Sequence, residues 1–349
     1  LGSEKGLNKF LKSKMLSLLI ILLILVVIFS VWSALIGKKF LNTDTLLSIV
    51  DMLVVTSFLA IGSGALLLTG NIDLSTTTIG ATGGLLLVVS MKTWLLPWPV
   101  ALILTLAVCA AFGVINAVLV NEFNFQPFIA TMATSSVFKG FQMFISWDKA
   151  SQAAQNFSYS SPFTDFLGTY QVFGFIPITV VLMIVAFLFY GILLSKTKFG
   201  DTVYLVGGNP NAARLSGLNP KKISYILYAN CAAMSGLAGV VLMARTGQAN
   251  QLALSNNMFT GLVAAMLGGI SFYGGNGGMG GVFVGLLILN TFNKGMAIVN
   301  FDAYWSSVLT GVVLVIALSL DFTKTKRLHK LPAKLKDAEK QHVAAGGSR

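Results

Sequence analysis

Charge is scarce in this 349-residue chain: 10% of residues are Asp, Glu, Lys or Arg, against 55% in the hydrophobic set. Soluble globular proteins carry about 25% charged residues, so a water-soluble enzyme and a disordered tail are both excluded. Cysteine is nearly absent. Cys109 and Cys231 both sit in apolar runs, where a thiol is a small, soft packing residue, and two such thiols make no disulfide-stapled module. The two histidines, His329 and His342, lie in the polar C-terminal tail. No His–Cys or His–Asp catalytic pair is therefore available within a membrane, and the spacing of a metal site is missing. No Gly-x-x-x-x-Gly-Lys-Ser/Thr loop occurs either, so the chain is not expected to hydrolyse ATP by itself.

What the sequence has is long apolar runs. Mean hydropathy is +0.80, and a membrane-crossing helix needs about 20 mostly apolar residues. Candidate spans run Met15–Ile36, Leu46–Thr69, Leu74–Ser90, Pro99–Val120, Pro127–Ser146, Gly174–Ser195, Ile223–Arg245, Met258–Ile270, Gly280–Val299 and Ala303–Leu320. The third and eighth are short and bordered by glycine-rich turns. Met15–Ile36 is too long for a signal peptide and lacks a convincing cleavage site. The start without methionine and the terminal Gly346-Gly347-Ser348-Arg349 read as processing remnants. The expected fold is all-α: a polytopic transmembrane bundle of about ten spans with re-entrant or broken helices. Its parts are an N-terminal arm (1–14), a transmembrane domain (15–322) containing a polar loop (200–222), and a basic tail (323–349).

The formal net charge is +12, yet the bases fall between apolar runs and form no continuous stripe of the kind that binds nucleic acid. The partner they imply is lipid. Most of the basic residues are in the arm (Lys5, Lys9, Lys12, Lys14), the 200–222 region (Lys196, Lys198, Arg214, Lys221, Lys222) and the tail. An even number of spans puts all three on one side, and the positive-inside rule makes that side the cytoplasm. On the opposite side, Trp147–Gln171 is the largest polar segment, either a solvated connection or a docking surface.

Two polar interruptions carry chemistry. In Gly70-Asn71-Ile72-Asp73-Leu74-Ser75, Asp73 and Ser75 are placed to accept hydrogen bonds from first-turn N–H groups of the next helix; a role in solute passage is the alternative. In Gly207-Gly208-Asn209-Pro210-Asn211-Ala212-Ala213-Arg214-Leu215-Ser216-Gly217, Asn209 caps a short helix begun by Pro210 and stopped by Gly217. Such a helix packs on its own bundle or fits a groove on a cytoplasmic motor. The amides Gln126, Asn230, Asn290 and Asn293 serve either interhelical hydrogen bonding or a path for a hydroxylated solute. The 35 glycines cluster at two breaks, 62–84 and 268–285, which suggests two halves related by duplication.

The Gly207–Gly217 motif, the Gly-Asn-Ile-Asp-Leu-Ser segment, and Ala264-Ala265-Met266-Leu267-Gly268-Gly269-Ile270-Ser271-x-x-Gly274-Gly275 together resemble the ribose-type permeases of bacterial ABC importers. Gln126-Pro127-Phe128-Ile129-Ala130-Thr131-Met132-Ala133-Thr134, with Lys139-Gly140 after it, fits the same pattern, and the resemblance runs from Leu46 to Asp321. Two positions depart from it: Asn71 stands where the family commonly has glycine, and Asp51 where it has a neutral residue. The resemblance implies a multi-pass protein of the bacterial inner membrane with both termini cytoplasmic. It implies a partner ATP-binding subunit that holds the ATP and Mg, an external solute-binding protein, and a second permease copy or paralogue. On this reading Gly207, Gly208, Asn209, Ala212, Ala213, Arg214, Leu215, Ser216 and Gly217 couple to the ATPase. Asn71, Asp73, Ser75, Gln126, Phe128, Thr131 and Asn290 line the translocation path. No cofactor is expected in the chain itself. A self-sufficient ion-coupled carrier is the alternative, and it would need ionisable residues paired at the membrane midplane. An integral-membrane enzyme would need clustered catalytic groups, which are missing.

Overall fold

The computed structural model describes residues 14–148 and 151–302, with single positions between 304 and 319. The helices are α1 (Lys14–Leu35), α2 (Thr43–Leu67), α3 (Thr76–Lys92), α4 (Trp98–Asn121), α5 (Pro127–Ser146), α6 (Pro162–Thr169), α7 (Ile178–Lys196), α8 (Lys198–Gly208), α9 (Pro210–Leu215), α10 (Pro220–Thr246), α11 (Thr260–Leu267) and α12 (Met279–Ile298). Among the described residues, six of these are long and apolar enough to cross a membrane: α1, α2, α4, α7, α10 and α12. The count of about ten is therefore met only in part. Helix α3 has 17 residues and α11 only eight, about 12 Å at 1.5 Å per residue, so the eighth expected span is a broken helix. Helix α5 is long, but its hydroxyls, Lys139 and Gln142 keep it too polar for that group. Most of the tenth expected span, Ala303–Leu320, the arm and the tail lie outside the described residues.

Helix α10 is the axis of the bundle. Asn219 caps it by accepting the Lys222 N–H at 3.1 Å, Pro220 opens it, and Gly247 ends it at φ +66°. It packs along α2, α3 and α4, whereas α2 packs on α11 and α12. Side-chain partners fix the directions. Asp51 meets Arg245 and Gly62 lies against Cys231, so α2 and α10 run antiparallel. Gly80 and Gly84 follow Ser235 and Gly239, so α3 runs parallel to α10; Gly261 and Gly64 against Leu59 and Ala265 make α11 parallel to α2. The set α2–α3–α4 and the set α10–α11–α12 thus exchange places with opposite sense, the pattern of an inverted repeat. The two glycine-rich breaks are not equivalents under this exchange. They lie on the same face and touch each other, Gly70 against the Tyr273 carbonyl.

Within a bilayer, helices gain little from apolar burial and associate through close packing. The α3–α10 seam shows why glycine is required: a Cβ on Gly83 would stand 2.7 Å from the Gly236 Cα, and one on Gly84 would stand 2.9 Å from the Gly239 carbonyl. Both approaches are backbone to backbone, so no side chain can move aside.

On the face away from the 200–222 loop, the described residues add three short two-stranded ribbons to an otherwise helical fold: β1 (Trp147–Asp148) with β2 (Ala153–Ala154), β3 (Phe157–Ser158) with β6 (Gln248–Ala249), and β4 (Gln171–Val172) with β5 (Ile176–Pro177). The β3–β6 ribbon ties the 147–177 segment to the end of α10. Overpacking a closed interior costs about 1–3 kcal/mol. Gly83→Val is therefore expected to lower the thermal unfolding midpoint in detergent, whereas Gly140→Ala, with nothing within 4 Å, leaves it unchanged.

Candidate functional site

The turn between α2 and α3 holds a buried polar cluster. Asp73 Oδ1 accepts the Ser75 backbone N–H at 2.8 Å and the Ser75 hydroxyl at 2.5 Å. The Asn116 amide on α4 donates to Asp73 Oδ2 at 3.2 Å and to Ser75 Oγ at 2.9 Å. Asn116 Oδ1 in turn accepts the Thr134 hydroxyl of α5 at 2.5 Å. Thr131, one turn earlier on α5, accepts the Leu74 N–H at 3.1 Å and donates to the Pro127 carbonyl at 2.8 Å. Each of these five side chains is buried, and the chain of bonds pins α5 to both α3 and α4.

This corrects the capping expectation. Ser75 is the residue before α3, but its side chain makes no capping bond; it donates to Asp73 instead. Asp73 accepts the N–H of Ser75 rather than those of the helix's first turn. The carboxylate organises the turn and the α4 contact, and α3 starts without a side-chain cap.

Farther along the α3–α5 seam, Thr78 pairs with Ser135 at 2.7 Å and Gln142 donates to the Thr78 carbonyl at 2.5 Å. Gln251, beyond α10, donates to Ser146 at 2.8 Å. Asn116, Thr134 and Gln142 were not singled out from sequence. An amide inside the apolar run of α4 was the available signal for Asn116.

The other candidate path residues lie elsewhere. Asn290 is buried between α12 and α2, donating to Leu286 O at 3.0 Å and Thr56 Oγ1 at 3.3 Å. Gln126 precedes α5 without capping it and is exposed, as is Phe128. Asn71 is half-buried and donates to Thr69 Oγ1 at 3.1 Å. The structure therefore brings Asp73, Ser75 and Thr131 together and leaves Asn290, Gln126, Phe128 and Asn71 outside that cluster.

The 200–222 region forms a second site. Asn209 Oδ1 accepts the N–H groups of Asn211 and Ala212 at 3.1 and 3.0 Å, and Gly217 leaves the helix at φ +82°, as its sequence foretold. Two of the nine residues face inward. Ala213 is buried, and Gly207 lies against the Leu68 carbonyl, where a Cβ would also stand 2.7 Å from the Gly275 N. The Gly275 N–H donates to that same Leu68 carbonyl at 2.8 Å, and Tyr204 Oη donates to the Gly277 carbonyl at 2.9 Å. Gly208, Asn209, Ala212, Arg214, Leu215, Ser216 and Gly217 are exposed, Leu215 to 90%. On the same face, Lys221 pairs with Glu122 at 2.7 Å, and that ammonium holds the Glu122 carboxyl below its usual range. Among the described residues, no cluster of His, Cys, Asp or Glu is suited to a metal ion.

Membrane-length helices, a buried hydrogen-bonded cluster around Asp73 and an exposed capped helix at one end are the features of a polytopic membrane protein. The family described as "branched-chain amino acid transport system / permease component" matches residues 45–318, and the chain belongs to it. The D-allose transport system permease of Escherichia coli K12 is 32% identical over 295 residues, covering 84% of this chain and 88% of that protein. The ribose import permease of Bacillus subtilis 168 is 32% identical over 300 residues, covering 84% and 89%. The fructose import permease of Rhizobium meliloti is 28% identical, covering 83% and 81%. No solved structure matches the chain.

The network makes a prediction for position 73. Asp73→Leu removes the acceptor of the Ser75 N–H and hydroxyl and leaves the Asn116 amide only Ser75 Oγ, at about 1–3 kcal/mol for each buried group left unpaired. Asp73→Asn keeps an acceptor for Ser75, and Asn116 can turn its amide to accept from the new one. Thermal unfolding in detergent is expected to show a large loss for Asp73→Leu and a loss of about 1 kcal/mol for Asp73→Asn.

Proposed function

We propose that this chain is the membrane-spanning subunit of an ABC importer that carries a monosaccharide or similar polar solute inward by alternating access. The carrying observation is the similarity, over more than four-fifths of the chain, to import permeases named for allose, ribose and fructose. A partner ATPase supplies ATP hydrolysis with its own Mg, an external solute-binding protein delivers the solute, and a second copy or paralogue completes the pore. About ten spans, with both termini and the 200–222 loop cytoplasmic, satisfy the positive-inside rule.

The same relatives favour this reading over a self-sufficient ion-coupled carrier. The two acids flagged in or beside the spans fit it as well. Asp51 pairs with Arg245 at 2.6 Å near a helix end, and Asp73 is occupied by Ser75 and Asn116.

Helix α9 is read as the coupling element, with the exposed Leu215 as the knob that enters an ATPase groove. Gly207 and Ala213 hold the element onto the bundle and do not touch the partner. Exposed Gln126 and Phe128 on α5 are read as facing the path between two permease copies, where neutral groups replace a sugar's lost water bonds without holding it tightly.

Co-reconstitution with candidate ATPases and binding proteins, scored as solute-stimulated ATP hydrolysis, tests the whole assignment; absence of stimulation by every sugar tried would count against it. Leu215→Asp is expected to reduce that stimulation by about tenfold or more, the scale of one interface hot spot, with membrane insertion unchanged. Ala213→Leu is expected to lower the stability of the loop itself. Cysteines at 126 and 71 are expected to react with a small polar reagent to an extent that changes with ATP, and one at 131 to react weakly because Thr131 is buried. Silence at all three positions in every nucleotide state would remove them from the path.

A further inference from the structure

We propose that the tip of the β4–β5 hairpin, Phe173-Gly174-Phe175, is a membrane anchor that seats both rings at the headgroup boundary of the outer leaflet, with the phospholipid bilayer as its partner. Phe173 is 85% exposed and Phe175 65%, so neither ring serves the fold. Phe173 also takes φ +55°, a conformation in which a bulky side chain is a genuine outlier. A glycine or asparagine would suit that position better, and nothing inside the chain rewards the ring.

The surroundings say what covers the two rings. Strand β5 runs straight into α7, whose apolar span begins at Ile178, and the Ile178 N–H donates to the Tyr170 carbonyl at 2.9 Å. The hairpin's base is thus level with the start of a membrane helix. Its tip is three residues farther, at most about 10 Å at 3.3 Å per residue, so a hairpin lying obliquely keeps both rings within the roughly 5–7.5 Å headgroup layer. No Asp, Glu, Lys or Arg occurs between Asp165 and Lys196, so nothing charged opposes immersion.

Two more exposed rings, Phe166 and Tyr170, lie 4.9 Å apart, tilted 31° to one another, beside the hairpin. An apolar recess of about 390 Å³ opens between Trp98 and Phe166. Aromatic residues concentrated where helices leave the hydrocarbon are the composition of an interfacial belt.

The proposal rests on the membrane topology given above, and its test separates the two. Single-cysteine variants F173C, F175C, S151C and L188C of the full chain carry a bimane label in vesicles of phosphatidylethanolamine and phosphatidylglycerol, with a nitroxide on lipid carbon 5. Cys109 and Cys231 are buried, and the unsubstituted chain gives the background. Leu188, 60% exposed on α7, reports the bilayer, and Ser151 in the exposed β1–β2 loop reports water. Quenching at 173 and 175 is expected to exceed that at 151 by about threefold and to approach that at 188. Quenching at 188 with 173 and 175 equal to 151 would overturn the anchor alone. No quenching at 188 would overturn the membrane placement and the anchor together. Shielding of 173 from aqueous iodide only after a solute-binding protein is added would overturn the anchor in favour of a protein dock.

Discussion

Everything in this bundle depends on how closely α3 and α10 approach. In lipid the hydrophobic effect does not distinguish a helix's neighbour from an acyl chain, so association rests on contact area and hydrogen bonding. Glycines at 80, 83 and 84 facing Ser235, Gly236 and Gly239 let two backbones touch. The position of α10 then sets those of α4 and α2, and α2 sets those of α11 and α12. Gly268 against Gly281 repeats the device in the second triplet, where α11 is too short to hold its place by length alone.

The second constraint is that buried polar groups must find partners in the protein. Helix α5 is only partly embedded, and its inward face carries Thr131, Thr134, Gln142 and Ser146, each hydrogen-bonded. Its exposed side chains include Phe128, Val137 and Phe144. A helix held by polar bonds on one side and free on the other is suited to change neighbours, because hydroxyl and amide partners exchange for water or a sugar at little net cost.

The limits and helicity of most spans were legible because long apolar runs leave few alternatives, and the α9 cap was legible because Asn-Pro at one end and glycine at the other is a local signal. The inverted arrangement was not. It lives in which helix packs on which, and the two glycine clusters pointed instead to a pairing that proved to be direct contact. Asp73 reads from sequence as a helix cap or a path residue, but its carboxylate is committed to Ser75 and to Asn116, 43 positions away on another helix, and no local rule reaches so far. The burial of Ala213 was hidden for the same reason: a six-residue helix does not reveal which side meets the bundle.

The contact of Gly207 with the Leu68 carbonyl has a mechanical consequence. A lever joined through side chains has slack, since each rotatable bond absorbs part of a displacement before passing it on. Here the end of α8 bears on the end of α2 through main chain, and the Gly275 N–H grips the same carbonyl from the other side. Three segments share one oxygen atom as a fulcrum. If a partner ATPase displaces α9 as proposed above, this main-chain joint is the shortest route from there to the turn that holds Asp73. A single methyl group at position 207 would stand 2.7 Å from the Gly275 N and prise the joint apart.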